Sequence, residues 1–274
     1  MSEFHSPFIA AVRLLGFISW TLLMVPPYLL LLCLGKRGIP LFHRYTRYYW
    51  KGVAWIIGFT IEVRGKPTED APALFVANHA SYLDIVVLGT LINGVFIAKR
   101  EVGTWPGIGF LAKIGRTVFI ERRAQRSAEQ REQMLGRLGN MGESLILFPE
   151  GTSNDGNRVL PFKSALLSVA ETPRADGKRL PVQPVTVSYT RIDGLPIGWG
   201  WRSFWSWYGD MDLAPHLWIL LGLGTTTIEV DFHEPVSLEQ FKTRKALTDH
   251  CHDVVSRRLV QANMGRVPEP VSVG

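Results

Sequence analysis

A histidine and an aspartate, His79 and Asp84, stand five positions apart in the segment NHASYLD at 78–84. Histidine is the side chain best suited to accept a proton near neutral pH, and a carboxylate on its far ring nitrogen fixes the tautomer and stabilises the imidazolium. One helical turn between them would bring the two side chains together. The pair suits general-base catalysis in which a substrate hydroxyl is the nucleophile, and the lack of a G-x-S-x-G motif agrees with this.

The same spacing also has a purely structural interpretation. Ser81 is suited to cap a helix, and Asp84 then falls in the first turn, where a carboxylate is stabilised by the helix N-terminus. In that case Asp84 is half of a capping box and His79 is an ordinary turn histidine. The spacing alone leaves both interpretations open.

A second polar cluster, FPEGTSNDGNRVLPFKSAL, begins at residue 148 directly after an apolar run. Gly151 permits a tight turn and close backbone approach, and Thr152 offers a hydroxyl and an amide. Exposed amides in such a turn can hold an oxyanion or a phosphate. A plain surface loop is the alternative for 153–157, but the acidic Glu150 beside an apolar strand indicates a functional position.

The elements that must position these residues alternate along the chain. Short β-branched or apolar runs bounded by turn residues predict strands, and polar segments with helical spacing predict helices. This alternation indicates an α/β fold with a central β-sheet flanked by helices. The predicted strands are 61–64, 73–77, 95–98, 117–120, 145–148, 182–189 and 226–232, and the predicted helices are 81–92, 122–141, 163–171 and 237–263.

An uncharged apolar run at 14–34 is long enough to cross a bilayer core, which takes about 20 residues. Because Pro26 and Pro27 lie within it, we expect either one kinked membrane-anchoring helix or a pair of shorter helices. The simplest division of the chain is a membrane anchor with an interfacial helix at 1–59, a catalytic domain at 60–263 and a flexible tail at 264–274.

Basic residues follow the apolar run, which predicts that the main domain faces the cytoplasm at an inner or cytoplasmic membrane. The segment 41–59 mixes bases with aromatic residues and predicts an interfacial helix; an amphipathic helix packed on the domain is the alternative. Five of the nine tryptophans lie at 199–218, which predicts a second membrane contact or, alternatively, an aromatic-rich core insertion.

The 274-residue chain has a formal net charge of +6, which favours anionic partners. Glutamates dilute the basic stretch at 122–137, so we expect no nucleic-acid partner. Two cysteines, Cys33 and Cys251, suit a reducing compartment. His250 and His252 have no matching ligand pair elsewhere, so we expect no metal.

Four motifs in order resemble those of the lysophosphatidic acid acyltransferase family, the membrane-bound glycerolipid acyltransferases, over roughly residues 70–190. NHASYLD at 78–84 is similar to the catalytic H-x4-D motif. GRTVFIER at 115–122 resembles the second motif, FPEGT at 148–152 the third, and VQPVTVSY at 182–189 the fourth.

This resemblance implies transfer of a fatty acyl chain from a thioester, acyl-ACP or acyl-CoA, to a lysophospholipid hydroxyl, with no other cofactor. His79 would be the base and Asp84 its orienting partner. The acceptor head would meet the residues that match the later motifs, with help from a basic stretch between the first two. Those expected binding residues are Arg122, Glu150, Gly151, Thr152, Lys99 and Arg100. For Lys99 and Arg100, a solvated strand end is the alternative.

One departure bears on the acceptor. Many family members that use lysophosphatidic acid carry arginine after E-G-T, where this chain has Ser153. Lysophosphatidic acid is the main expectation, but a missing guanidinium removes a bidentate phosphate contact, unless Arg158 or Lys163 compensates. A lyso-lipid without that phosphate, such as lyso-ornithine lipid, is therefore the alternative acceptor. A non-catalytic lipid-binding membrane protein is the alternative of another class, and the oligomeric state is left open.

Overall fold

A computed structural model describes residues 5–105, 107–120, 132, 134–140, 142–174 and 177–266. In this part of the chain, eight strands form one sheet. The strands are β1 (Phe59–Arg64), β2 (Leu74–Ala77), β3 (Gly94–Lys99), β4 (Val118–Ile120), β5 (Ser144–Leu147), β6 (Val182–Ile192), β7 (Leu195–Pro196) and β8 (Thr226–Phe232).

Six α-helices are present among the described residues, together with short helical turns. The helices are α1 (Pro7–Cys33), α2 (Ile39–Ile56), α3 (Leu83–Leu91), α4 (Ile108–Ile114), α5 (Leu213–Leu221) and α6 (Arg244–Asn263). The 3-10 turns are Gly35–Gly38, Arg100–Thr104, Ser164–Glu171, Arg202–Phe204 and Leu238–Gln240, and Gly136–Asn140 is a π-helical turn.

The sheet order is β1-β8-β6-β2-β5-β3-β4, with β7 paired to β6. Neighbours from β6 through β2, β5 and β3 to β4 run parallel, whereas β6 and β8 are antiparallel. The carboxyl ends of β2, β5 and β3 therefore lie at one edge of the sheet. This is the edge at which α/β folds commonly bind ligands.

Apolar cores cover both faces of the sheet. In β2, Phe75 and Ala77 face the core formed with α1, α2, α3 and α5, while Leu74 and Val76 face the core formed with α6 and the turn Ser164–Glu171. All four side chains are buried, which explains why this strand is a continuous apolar run rather than an alternating one. The predicted α/β fold with a sheet between helices is confirmed.

Helix α1 continues through Pro26 and Pro27, so the predicted alternative of two shorter helices is wrong. The flanking residues Met24 and Tyr28 are buried against α2, which hydrogen-bonds to both of them. These contacts offset the backbone hydrogen bonds that the prolines remove. Helix α1 is long and apolar enough to cross a membrane, by length and composition alone.

The other predicted elements agree with the structure within a few residues. The segment 163–171 forms a 3-10 helix rather than an α-helix, and the last predicted helix begins only at Arg244. The interfacial helix predicted at 41–59 corresponds to α2, which packs on α1 and α3 while leaving Arg44 and Lys51 exposed. Most of the predicted helix 122–141 and of the predicted tail lies outside the described residues.

Candidate active site

His79 lies just after the end of β2, at the edge of the sheet. The side chain of the preceding residue, Asn78, donates to the Val187 carbonyl over 2.9 Å and accepts from the Val187 amide over 2.8 Å. This two-way bridge joins the end of β2 to β6. It fixes the position from which the His79 ring leaves the strand.

Asp84 lies in the first turn of α3 and is fully buried. Its Oδ2 accepts from His79 Nδ1 at 2.9 Å and from the amides of Ala80 and Ser81 at 2.8 and 2.9 Å. Its Oδ1 accepts from the Tyr189 hydroxyl at 2.8 Å. Four donors stabilise the carboxylate, so the proton of the neutral histidine lies on Nδ1 and Nε2 carries the free lone pair.

The predicted capping role of Ser81 is wrong. Helix α3 begins at Leu83, and the Ser81 hydroxyl is buried without a hydrogen-bond partner in the described structure. The tight turn after His79 aims its backbone amides at Asp84 instead. Asp84 therefore has both of the roles that the spacing left open, because its carboxylate stabilises the turn and orients the His79 ring.

The His79 ring stacks on Phe148, with ring centroids 4.0 Å apart and an interplanar angle of 16°. Phe148 directly follows β5, and the His79 side chain keeps 20% of its surface exposed. The ring is thus held by Asp84 at one edge and Phe148 on one face. The roles of Phe148 and Tyr189 were not predicted from the sequence, although Phe148 lies in the motif FPEGT and Tyr189 in the motif VQPVTVSY.

Glu150 holds the second motif against the first. Its Oε1 accepts from the His79 amide at 2.7 Å, and its Oε2 accepts from Asn154 Nδ2 at 2.7 Å and the Leu160 amide at 2.8 Å. Burial raises the pKa of Glu150 to about 7, although these donors act in the opposite direction. Both oxygens are occupied by the protein, and the predicted contact with the acceptor head stays a prediction.

The other predicted binding residues follow the same edge of the sheet. Gly151 has a φ of +69°, as the tight turn requires, and Thr152 is exposed. Lys99 is the last residue of β3, and Arg100 opens the 3-10 turn after it. Arg122 lies outside the described residues. Roles for these side chains in acceptor binding stay predictions.

An apolar cavity of ≈ 240 Å³ lies between the N-terminal helices, α3, α4, α5 and β3. Tyr82 and Leu83, next to the catalytic motif, line it, as does Phe96 of β3. Phe96 stacks on Phe148 at a centroid distance of 6.3 Å, and Phe148 stacks on His79. A fatty acyl chain suits such a lining, and the stacked rings of Phe96 and Phe148 connect it to the His79 ring.

The tryptophan-rich segment divides between core and surface. Trp205 is buried, whereas Trp199 and Trp201 are exposed. Trp207 contacts the active site, because its amide donates to the Ala80 carbonyl at 2.9 Å. The alternative of a core insertion therefore holds for Trp205, and the membrane contact of the exposed tryptophans stays a prediction.

Within the described ranges, no three His, Cys, Asp or Glu side chains are grouped to hold a metal ion. The geometry instead offers an oriented base with a free nitrogen, a buried anion behind it and an apolar cavity alongside. These features define a site that can deprotonate a hydroxyl next to a bound lipid chain.

Comparison with known proteins agrees with this chemistry. A family model described as Acyltransferase matches residues 60–188. A lyso-ornithine lipid O-acyltransferase from Brucella abortus (strain 2308) is 42% identical over 85% of this chain and 86% of its own length. A 1-acyl-sn-glycerol-3-phosphate acyltransferase from Neisseria gonorrhoeae is 30% identical over 75% of this chain and 76% of its own length.

The fold also matches a crystal structure, that of the 1-acyl-sn-glycerophosphate (LPA) acyltransferase from Thermotoga maritima. The TM-score is 0.65 at 21% identity, over 95% of this chain and all of the other. The chain belongs to the acyltransferase family, within the group that includes the lysophosphatidic acid acyltransferases, as its motifs predicted. It is an O-acyltransferase of lipid biosynthesis.

Proposed function

We propose that this enzyme transfers a fatty acyl chain from an acyl thioester to the hydroxyl of lyso-ornithine lipid. The observation that carries the proposal is the 42% identity, over most of both chains, to a relative named for that reaction. The relatives bear out the broader expectation of a lyso-lipid acceptor. They favour the alternative acceptor over lysophosphatidic acid, because the relative named for the glycerol-phosphate reaction is only 30% identical.

The surroundings of Ser153 support this choice of acceptor. Its hydroxyl donates to the Trp207 carbonyl at 2.5 Å, and the Trp207 amide donates to the Ala80 carbonyl. The side chain after E-G-T therefore fastens the tryptophan-rich segment to the active site. It supplies no guanidinium for a phosphate, so a bidentate contact of that kind is missing at this position.

In the proposed reaction, the acceptor hydroxyl approaches Nε2 of His79 while the donor acyl chain occupies the apolar cavity. The hydroxyl oxygen forms a bond to the thioester carbonyl carbon, and His79 takes the hydroxyl proton. Asp84 stabilises the resulting imidazolium. The carbon–sulfur bond then breaks, and the imidazolium returns the proton to the leaving thiolate, so that the products are an ester and a free thiol.

We place the reaction at the cytoplasmic side of a membrane, with acyl-ACP or acyl-CoA as donor. The exposed apolar surface of α1 supports membrane association, and the bases that follow it support the orientation. Each donor is anionic and suits a protein with a net charge of +6. The non-catalytic alternative does not account for the buried Asp84 and the oriented His79.

The proposal is tested by measuring free-thiol release and product mass with each donor, using lyso-ornithine lipid and lysophosphatidic acid as parallel acceptors. The expected result is thiol release that depends on the ornithine acceptor and exceeds that with lysophosphatidic acid. Preference for lysophosphatidic acid would overturn the choice of acceptor. Vesicle binding without thiol release for any pair would favour the non-catalytic alternative.

A further inference from the structure

Lys163 lies beside the turn that holds His79, although the mechanism above does not use it. Its amide donates to the Pro149 carbonyl at 2.9 Å and closes the loop from 149 to 163. A Cβ on Gly151 would lie 2.9 Å from Lys163 Nζ, so the ammonium rests directly over this glycine. The ammonium thus occupies space that a side chain at position 151 would take.

The ammonium of Lys163 is not neutralised by the acidic residues around the turn. Both oxygens of Glu150 are occupied by His79, Asn154 and Leu160, and Asp84 is fully buried. Asp155, on the same loop, accepts from the backbone and side chain of Asn157. In the described part of the chain, no carboxylate forms a salt bridge with Lys163, whose side chain is exposed.

Lys163 also lies outside the lining of the apolar cavity. No residue of the loop 149–163 lines that cavity. The same loop holds the His79 backbone, because Glu150 accepts from its amide and Asn154 donates to its carbonyl. A donor chain in the cavity would therefore leave the loop side of His79 to the acceptor.

From this placement, we propose that Lys163 binds the anionic group of the acceptor head and sets the distance between that group and the reacting hydroxyl. The inference rests on the proposed function. Ornithine that carries an acyl chain on its α-amino group keeps a free carboxylate, which suits a single ammonium. A phosphomonoester offers the same anionic oxygen chemistry, so the experiment must separate the two sources.

The test compares Lys163→Gln with the wild-type enzyme in steady-state kinetics. Acceptors are lyso-ornithine lipid, its carboxyl methyl ester and lysophosphatidic acid. We expect the KM for lyso-ornithine lipid to rise about tenfold, the value for losing one charge-assisted hydrogen bond, with kcat and the donor KM nearly unchanged. The wild type should prefer the free acid to the ester, and the variant should not. Lys163→Arg should restore most of the preference.

Arg158→Gln is the matched control, because it removes an exposed cation from the same loop. It should change the acceptor KM less than twofold. If both variants raise the acceptor KM equally, the loop attracts the acceptor by its general positive charge and Lys163 is not a specific site. If Lys163→Gln leaves the acceptor KM unchanged, Lys163 does not bind the acceptor. A rise confined to the donor KM would assign the lysine to the donor.

The two proposals fail separately in this design. If the wild type uses lyso-ornithine lipid but Lys163→Gln retains its KM and its preference for the free acid, only the assignment of the lysine fails. If the wild type uses lysophosphatidic acid alone, the proposed acceptor fails. The lysine is then judged by whether Lys163→Gln raises the KM for that acceptor. Equal melting temperatures for all variants exclude a folding effect.

Discussion

Four donors converge on Asp84, three from the neighbouring turn and one from a distant strand. Two are backbone amides of its own turn, one is the His79 ring, and one is the hydroxyl of Tyr189 on β6. Burial, followed by the charge of Asp84, raises the pKa of Tyr189, so the phenol keeps its proton and remains a donor. In the described part of the chain the Asp84 carboxylate forms no salt bridge with a lysine or arginine, so these four hydrogen bonds hold it in place.

Replacing Asp84 with asparagine should remove both orientation and charge. The asparagine NH₂ would replace one carboxylate oxygen and point at hydrogen-bond donors that then lack an acceptor. We expect this to cost about 1–3 kcal/mol of stability. The His79 ring would lose the acceptor that fixes its tautomer, so we expect kcat to fall at least ~100-fold. Steady-state thiol release from purified, folded Asp84→Asn enzyme measures this. A near-normal kcat would exclude Asp84 from the mechanism.

Tyr189→Phe is the graded counterpart of that change. It removes one of the four donors but leaves the contact between His79 and Asp84 in place. We expect stability to fall by roughly 1.5–3 kcal/mol, the usual contribution of a hydrogen bond to a charged group. Turnover should fall less than tenfold. A loss as large as that of Asp84→Asn would mean that the phenol itself takes part in the reaction.

At this scale the sequence predicted the contact between His79 and Asp84 but not its surroundings. The pair is local, and its spacing on one turn carries the information. Tyr189 is 105 positions from Asp84, and only the parallel pairing of β6 with β2 brings it close. Phe148 belongs to a quoted motif, but no sequence rule distinguishes a ring that stacks on histidine from one that fills the core.

At the scale of the elements, a buried charge cluster ties the N-terminal helices to the sheet. Glu143, just before β5, accepts from His43 of α2 at 3.0 Å and from two nitrogens of Arg116 at 3.0 and 2.8 Å. Burial would raise the pKa of Glu143, but these donors outweigh it and lower the pKa to about 2. The cluster fixes α2, one wall of the apolar cavity.

Glu143→Gln should therefore destabilise the enzyme by about 3 kcal/mol at neutral pH, because it removes the buried negative charge that faces the part-buried Arg116. Because the pKa of Glu143 is lower in the folded state than its usual value of 4.5, the charged carboxylate stabilises the folded protein at pH values above 4.5. That stabilisation is lost as the pH falls from about 4.5 toward 2. The difference between wild type and variant should shrink in this window, as measured by denaturant unfolding.

Glu69→Gln is the control for that experiment, since Glu69 pairs with Lys66 on the surface. It should leave the denaturation midpoint unchanged. A Glu143→Gln variant as stable as the wild type at neutral pH would contradict the assigned role of the cluster. The sequence did not predict this cluster because residues 43, 116 and 143 share no motif. The long apolar run, by contrast, correctly predicted α1, and only the effect of its prolines was overestimated.

For the whole molecule, the packing of α1 bears on how the enzyme meets a membrane. One face of α1 packs against the rest of the protein. There Trp20 donates a hydrogen bond to the Tyr49 carbonyl and Arg13 donates one to the Leu223 carbonyl. The other face exposes Phe8, Leu15 and Leu22, each at least 64% accessible. Crossing the bilayer would take the adjoining polar residues of α2 into hydrocarbon, which is costly.

We therefore predict that α1 lies within one leaflet, with both ends on the side of the catalytic domain. In reconstituted vesicles, a membrane-impermeant maleimide should label Cys33 and an introduced Ser6→Cys, at the helix N-terminus, from that side alone. Cys251 is buried and serves as the unlabelled internal control, whereas Cys33 is exposed. Labelling of the two ends from opposite sides would show a spanning helix instead.

One experiment tests most directly both the proposed acceptor, lyso-ornithine lipid, and the proposed general base, His79. Wild-type enzyme and His79→Ala, both purified and shown to be folded, are given an acyl thioester and lyso-ornithine lipid, and the O-acylated product is quantified by mass spectrometry. We expect product from the wild type and at least ~100-fold less from His79→Ala. Equal product from both enzymes, or none from the wild type while lysophosphatidic acid is acylated, would contradict this expectation.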